Sequence, residues 1–275
     1  MRAKIWSDLL KALAVFGLLF GGIWFGLSWW SSASLGEFFR TDPAPLVSVS
    51  DEISIGDFLA RQVELQYATV DHVPELDLAL DSISQRLLDA LGETPYPYKF
   101  TVIEGSEINA FALPGGHVFI FTGLLHTVEN AEELAAVLAH EMGHIERRHT
   151  VKKLLKEVGI AVLASIALGG EALPAEELLT GLLSTRFDRR YESQADEFSL
   201  DLLLSASLSP RHMAEVFRKF DASASDYDEY FEMLSTHPHN KSRIERADAF
   251  PIPPSFVERP LPLDWAHVRH ALEDL

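Results

Sequence analysis

His140-Glu141-Met142-Gly143-His144 is the stretch on which the reading of this chain turns, together with Glu192-Ser193-Gln194-Ala195-Asp196 about fifty residues later. In a helix, residues four apart share a face, so His140 and His144 can each aim an imidazole nitrogen at one metal ion. Glu141 then stands beside the metal rather than on it. That is where a general base takes a proton from water whose pKa a zinc ion has lowered from about 15.7 towards about 7. A catalytic zinc needs three protein ligands and an open position, and a carboxylate is a usual third partner for two histidines. Glu192 is the best candidate for it.

The surroundings of both segments support this reading. Asn130 before Ala131-Glu132-Glu133 has the pattern of an N-cap with a capping-box Glu at N3, so a helix starts there and runs through the motif. Leu134, Val137, Leu138, Met142 and Ile145 form its apolar stripe, with His140 and His144 at the margin. Two histidines turned half into a core need partners, and a metal is one. In the second segment Glu192 and Asp196 also lie one helical turn apart. Glu192 can ligate while Asp196 reaches back to a ligand imidazole and fixes its tautomer. Ala195, Phe198, Leu200 and Leu202-Leu203-Leu204 make that helix largely buried, and a buried carboxylate pair requires cations or donors. Zinc and Arg189 or Arg190 would meet that requirement.

Four blocks in order carry a resemblance. Asn109-Ala110-Phe111-Ala112-Leu113-Pro114-Gly115-Gly116-His117-Val118-Phe119, the His140 to His144 motif, Arg189-Arg190-Tyr191-Glu192-Ser193-Gln194-Ala195-Asp196 and Ser235-Thr236-His237-Pro238 resemble the HtpX-like and CAAX-prenyl-protease superfamily of zinc metallopeptidases. The match runs from about residue 50 to about residue 250. The resemblance implies an α+β gluzincin endopeptidase, mainly helical with a small sheet, in which one Zn2+ is held by His140, His144 and Glu192 and Glu141 is the base. It departs locally at Asp188, where many relatives have Ser before the Arg. It also places His237 near the metal, either as a fourth ligand in a resting enzyme or as an oxyanion donor in a working one. Of the other histidines, His149, His126, His212, His239, His267 and His270 read as surface or helix-terminal residues.

Ahead of the motif, residues 53 to 92 are helix-patterned with a break near Val73-Pro74, and Tyr98 to Ile103 alternates as a strand. A Pro-Gly-Gly turn then leads into His117-Val118-Phe119-Ile120-Phe121, an apolar run rich in strand formers. At a sheet edge beside the zinc helix, such a strand would hold an extended peptide by main-chain hydrogen bonds, which makes Gly116, His117, Val118 and Phe119 candidate substrate-binding residues. The bland alternative is a core hairpin strand, with His117 engaged in packing. Gly159 to Gly170 is apolar but shorter than a bilayer span and reads as a buried helix, with a membrane-grazing or lid-like element as the alternative. Leu208-Ser209-Pro210 opens another helix, and the Pro-rich segment 251–275 ends in a short helical tail with no evident function.

Composition frames the enzyme. A chain of 275 residues with 47% hydrophobic content can bury one good core, and one motif set argues for one catalytic domain, about 51–250. With no cysteine there is no disulfide framework, iron–sulfur site or lipidated thiol. A net charge of −18 argues against nucleic acid as a partner and favours polypeptide substrates that are basic or unfolded over acidic ones. A chaperone-like or adaptor protein with a latent peptidase site is the alternative, which the intact Glu141 disfavours. An intramembrane protease would need a multi-helix chamber, and one span is visible.

That span is Ala12 to Trp30, an uninterrupted apolar stretch closed by Trp29-Trp30 and linked to the domain by a Ser-, Gly- and Pro-bearing tether, 31–50. Arg2, Lys4 and Lys11 precede it and Glu37, Asp42, Asp51 and Glu52 follow, so the positive-inside rule puts tail 1–11 in the cytoplasm and the catalytic domain outside it, anchored in membrane lipid; in a Gram-negative bacterium that is the periplasmic side of the inner membrane. The rival is a signal peptide cut near Ala33, giving a secreted enzyme. A reporter fused after residue 60 is expected outside the cytoplasm, with the protein retained on membranes through an alkaline carbonate wash. A soluble product beginning near Ser34 would mean cleavage instead.

Overall fold

The computed structural model describes residues 44–169, 179, 186–223, 237 and 241–273. The chain divides at Pro45 into two compact units, and the helices and strands below belong to the second, Leu46–Leu275. They are α1 (Val49–Gln66), α2 (Pro74–Leu91), β1 (Lys99–Ile103), β2 (Ala110–Ala112), β3 (His117–Phe121), α3 (Thr122–Thr127), α4 (Ala131–Glu146), α5 (His149–Ala167), α6 (Arg189–Ser205), α7 (Arg211–Ser223), α8 (Lys241–Asp248) and α9 (Trp265–Glu273). This is the expected α+β class, mainly helical with a small sheet. The apolar stretch 12–30 lies outside the described residues, and among the described ones no helix is long and apolar enough to cross a membrane.

Helix α4 starts where its cap dictates. Asn130 Oδ1 accepts from the Glu133 amide at 2.8 Å, and Glu133 Oε2 reaches back to the Glu129 amide, also at 2.8 Å, one residue earlier than in the standard box. The apolar stripe expected from the sequence understates the burial. Every residue from Ala131 to Ile145 is buried, because α2, α6, α7 and the sheet pack around α4 on all sides. The two buried glutamates of its first turn are both answered: Leu261 N–H donates to Glu132 at 2.7 Å, and Lys219 pairs with Glu133 at 2.5 Å. The C-terminal segment thereby gains a physical role, since Arg259 N–H donates to Ser207 O and the Trp265 indole to Val128 O. It straps the start of the zinc helix to α6 and α3.

The sheet has the order β1-β3-β2, with β1 and β3 parallel and β2 antiparallel to β3. This corrects one expectation: His117–Phe121 is the central strand, not an edge. Its main chain is paired on both sides and its side chains are buried, so His117, Val118 and Phe119 have no free ladder to offer a peptide, and Gly116 lies buried in the turn before the strand. The His117 ring packs inside, with Nε2 2.9 Å from Asp57 Oδ1. The strand lying against α4 is the short β2.

Helix α1 fixes the Pro-Gly-Gly turn that leads into β3. A Cβ at Gly56 would stand 1.9 Å from Pro114 O, and Gly115 turns at φ 77°, where a side chain would be strained. At its start, Glu52 is fully buried and receives Arg148 Nε at 2.7 Å and the Tyr96 hydroxyl at 3.1 Å, which ties α1 to the far end of α4. Burial pushes the Glu52 carboxyl up, and Arg148 offsets part of that. Helix α5 is broken at Gly159 (φ 78°, ψ 165°). Beyond the break Leu163 and Ile166 are buried while Ile160 and Leu168 are exposed, so the segment expected as a buried helix is buried on one side only.

Candidate metal centre

Two helices supply the centre. α4 carries His140, Glu141 and His144, and α6 carries Glu192 and Asp196, one turn apart as the spacing predicts. The helices meet closely because position 143 is glycine: a Cβ there would stand 3.0 Å from Ala195 O and 3.1 Å from Ala195 Cα. Glycine costs about 1 kcal/mol in a helix relative to alanine, and here the close approach it permits sets the reach of Glu192 and Asp196 to the imidazoles.

Among the described residues, ligand atoms of His140, His144, Glu192 and His237 lie within 4.8 Å of one another, and all four residues are buried. His140 Nε2 is 3.2 Å from His144 Nε2, 3.4 Å from His237 Nδ1 and 3.6 Å from Glu192 Oε2. His144 Nε2 is 3.5 Å from Glu192 Oε1, and His237 Nδ1 is 2.8 Å from the same oxygen. Ligands at about 2.0–2.1 Å from a tetrahedral zinc are about 3.4 Å apart, so most of these separations fit one ion at the centre. The donor set, three imidazoles and a carboxylate, suits zinc. His237 stands at the fourth vertex.

Behind the ligands the carboxylates and cations are ordered. Asp196 Oδ1 lies 3.2 Å from His140 Nδ1, as the sequence predicts. Burial alone would push His140 down, but Asp196 and Glu192 outweigh it and carry the metal-free imidazole up to about 9. Burial drives His144 well below the usual range, and His149 down to about 4. The buried cation beside the carboxylates is Arg243, not Arg189, with the exposed Arg246 3.6 Å from Asp196 Oδ2. Arg189 and Arg190 are exposed at the start of α6, where Asp188 caps the helix by accepting from the Arg190 amide at 2.8 Å. Arg243 on α8 grips Asp196 with two bonds, 2.6 and 2.8 Å, and lies 2.9 Å from Glu192 Oε2. Buried imidazoles and this guanidinium outweigh the burial cost that would raise Glu192 and Asp196, and hold both carboxyls below the usual range.

Two residues escaped the sequence reading. Arg243 follows the His-Pro pair by five to six positions in a short polar helix with nothing local to mark it. His149, read as helix-terminal, is fully buried with Nδ1 3.2 Å from His144 Nδ1; its signal was the five-residue step from His144 to another histidine. Glu141 is buried with Oε1 free of any hydrogen bond, and the Ala112 amide of β2 bonds its carboxylate. Burial pushes its carboxyl up, the direction a base that must also return a proton requires.

The sequence profile of peptidase family M48 matches residues 74–250. The chain is 27% identical over 220 residues to the beta-barrel assembly-enhancing protease of Yersinia pestis, covering 75% of this chain and 45% of that protein. It is 30% identical over 187 residues to the mitochondrial metalloendopeptidase OMA1 of Schizosaccharomyces pombe, covering 66% and 55%. The beta-barrel assembly-enhancing protease of Escherichia coli K12 matches at 29% over 222 residues, covering 76% and 45%. The chain spans about half the length of these curated relatives.

The buried grip of Arg243 on Asp196 gives a direct test. Arg243→Ala leaves a buried carboxylate uncompensated and is expected to cost about 3–5 kcal/mol in denaturant unfolding. Arg243→Lys, which cannot make the paired bonds, should recover only part. A loss below about 1 kcal/mol would mean that the pair is open to water.

Proposed function

The chain belongs to peptidase family M48, and from that premise we propose that it is a zinc-dependent endopeptidase that cleaves exposed or misfolded polypeptides outside the cytoplasm. The observation that carries the reading is the convergence of His140, His144, Glu192 and His237 on one point, with the buried carboxylate of Glu141 beside it. The extracytoplasmic placement and the membrane anchor rest on the charge bias around residues 12–30.

Bound there, zinc supplies Lewis-acid chemistry: it polarises the scissile carbonyl and makes water acidic enough to attack. Glu141 takes the proton that the attacking water loses and passes it to the leaving amine as the C–N bond breaks. The Ala112 amide fixes one side of that carboxylate and leaves Oε1 for the proton. Main-chain binding of substrate is best served by β2. Leu113 N–H bonds His117 O and Phe121 N–H bonds Asn109 O. By the alternation of an antiparallel ladder, Asn109, Phe111 and Leu113 turn to β3, and Ala110 and Ala112 turn to the other edge, where the Ala112 amide is held by Glu141 and the Ala110 amide and the two carbonyls are left to meet a peptide. An extended peptide added there would be read by its backbone, with weak sequence preference.

Glu141→Gln is expected to keep zinc and lose proteolysis of an unfolded substrate such as casein, while His140→Ala, His144→Ala and Glu192→Ala lose both; atomic absorption on each purified variant reads the metal. Full zinc retention in Glu192→Ala would remove Glu192 as a ligand.

His237 has two readings, and its place at the fourth vertex supports the cap. A capping imidazole must leave before substrate binds, and apparent activity is then scaled by the open fraction. His237→Ala is therefore expected to raise proteolysis or self-cleavage at equal zinc occupancy. A fall of about 10²-fold would assign it to the oxyanion, and no change would return it to a structural turn.

A further inference from the structure

His149 takes no part in the hydrolytic reading, yet it is a fully buried polar side chain wedged against a metal ligand. It opens α5, its ring stacks on Tyr191 at 4.5 Å between centroids and 17° between planes, and both its nitrogens face polar atoms. Nδ1 is 3.2 Å from His144 Nδ1, and Nε2 is 3.0 Å from Gln194 Oε1. His144 meanwhile turns Nε2 to the converging ligand atoms.

These contacts fix the protons one after another. A neutral imidazole that gives the Nε2 lone pair to a metal carries its hydrogen on Nδ1, so His144 Nδ1 is a donor. Two facing Nδ1 atoms can share one hydrogen, so His149 Nδ1 must be the bare acceptor. The hydrogen of His149 then sits on Nε2 and is donated to Gln194. That orients the Gln194 amide, whose oxygen must face the ring, a choice that hydrogen-bond logic decides. His140, by contrast, is backed by the carboxylate of Asp196.

We propose that His149 and Gln194 are a positioning pair that holds His144 in its Nε2-ligating tautomer and ring orientation through a chain of neutral hydrogen bonds. The proposal rests on the zinc site described above. Gln194 sits on the turn of α6 between Glu192 and Asp196, so one helix supplies a ligand, the carboxylate behind one histidine and the end of the chain behind the other.

The test is the rate at which zinc leaves the purified protein to a chromophoric chelator, read beside the thermal melting of each variant. His149→Leu, which keeps an apolar body and removes the acceptor, is expected to loosen zinc by about 10–100-fold. His149→Asn places its side-chain oxygen where Nδ1 stood and should recover most of that loss, a rescue that packing would not produce. Gln194→Met, similar in size and unable to accept, should loosen zinc by less than His149→Leu with little change in melting; it decides the matter if His149→Leu fails to fold. Wild-type retention in Gln194→Met, wild-type retention in His149→Leu, or equal loss in the Leu and Asn variants would each overturn the pair. Failure of the zinc site itself looks different: the unaltered chain would not hold zinc.

Discussion

Charge buried beside charge is the constraint on which this domain depends. Glu141, Glu192 and Asp196 lie at most 3% exposed, close to three imidazoles and the guanidinium of Arg243. An isolated carboxylate in such a place would take up a proton or refuse to be buried. Arg243, with Arg246 at 3.6 Å from Asp196, and a zinc ion together answer these negative charges. Burial would push His140 down, and the Asp196 and Glu192 carboxylates beside it outweigh that and carry it up to about 9. Metal binding and proton release are linked wherever a ligand must be deprotonated to bind.

Keeping those charges in place sets the rest of the fold. α4 must be surrounded, because a zinc helix with an open side would admit water to the carboxylates. The sheet closes one side, α2 and α7 others, and α6 the side from which the third ligand comes. Gly143 lets α6 approach α4 to backbone contact, and a larger residue would push Glu192 and Asp196 outward together. Arg243 then pins α8 to α6, with its guanidinium over the Phe217 ring of α7 at 4.5 Å. The C-terminal strap answers the buried Glu132, which the cap of the zinc helix would otherwise leave without a donor. Elements remote in sequence are thus held by the same need to satisfy buried polar groups around one helix.

What the sequence made legible follows the range of the forces involved. The local signals are the legible ones: the Asn130 cap, the break before Pro74, the strand after the Pro-Gly-Gly turn, and the helical spacing of His140 with His144 and Glu192 with Asp196. Each depends on residues within a turn of one another. The errors concern partners brought from afar. Arg189 was the nearest cation in the sequence, but a residue at the exposed start of α6 cannot reach inward past its own helix, and Arg243 arrives from α8. His117–Phe121 has the composition of either an edge or a central strand, and its place was decided by β1 pairing in parallel across the chain. The burial of His149 is likewise a tertiary fact, set by the αL turn at Arg148 (φ 56°), which folds α5 back against the zinc helix.

The four metal-facing residues are not held alike, and the difference bears on how a closed site could open. His140 is backed by Asp196 at 3.2 Å and His144 by His149 at the same distance, and Glu192 is engaged by Arg243. The far nitrogen of His237 lies 3.8 Å from Glu141 Oε1, beyond hydrogen-bond reach. His237 is also neutral as a ligand and comes from neither α4 nor α6. Its departure would leave the charge balance of the centre unchanged, with water taking its place. Loss of Glu192 would strand positive charge, and loss of His140 or His144 would also draw the ring away from Asp196 or His149 behind it. In the capped reading proposed above, His237 would be the ligand to leave, against the hold of Arg243 Nη1 on its main-chain carbonyl at 3.4 Å, and the three that stay would be the set a catalytic zinc requires.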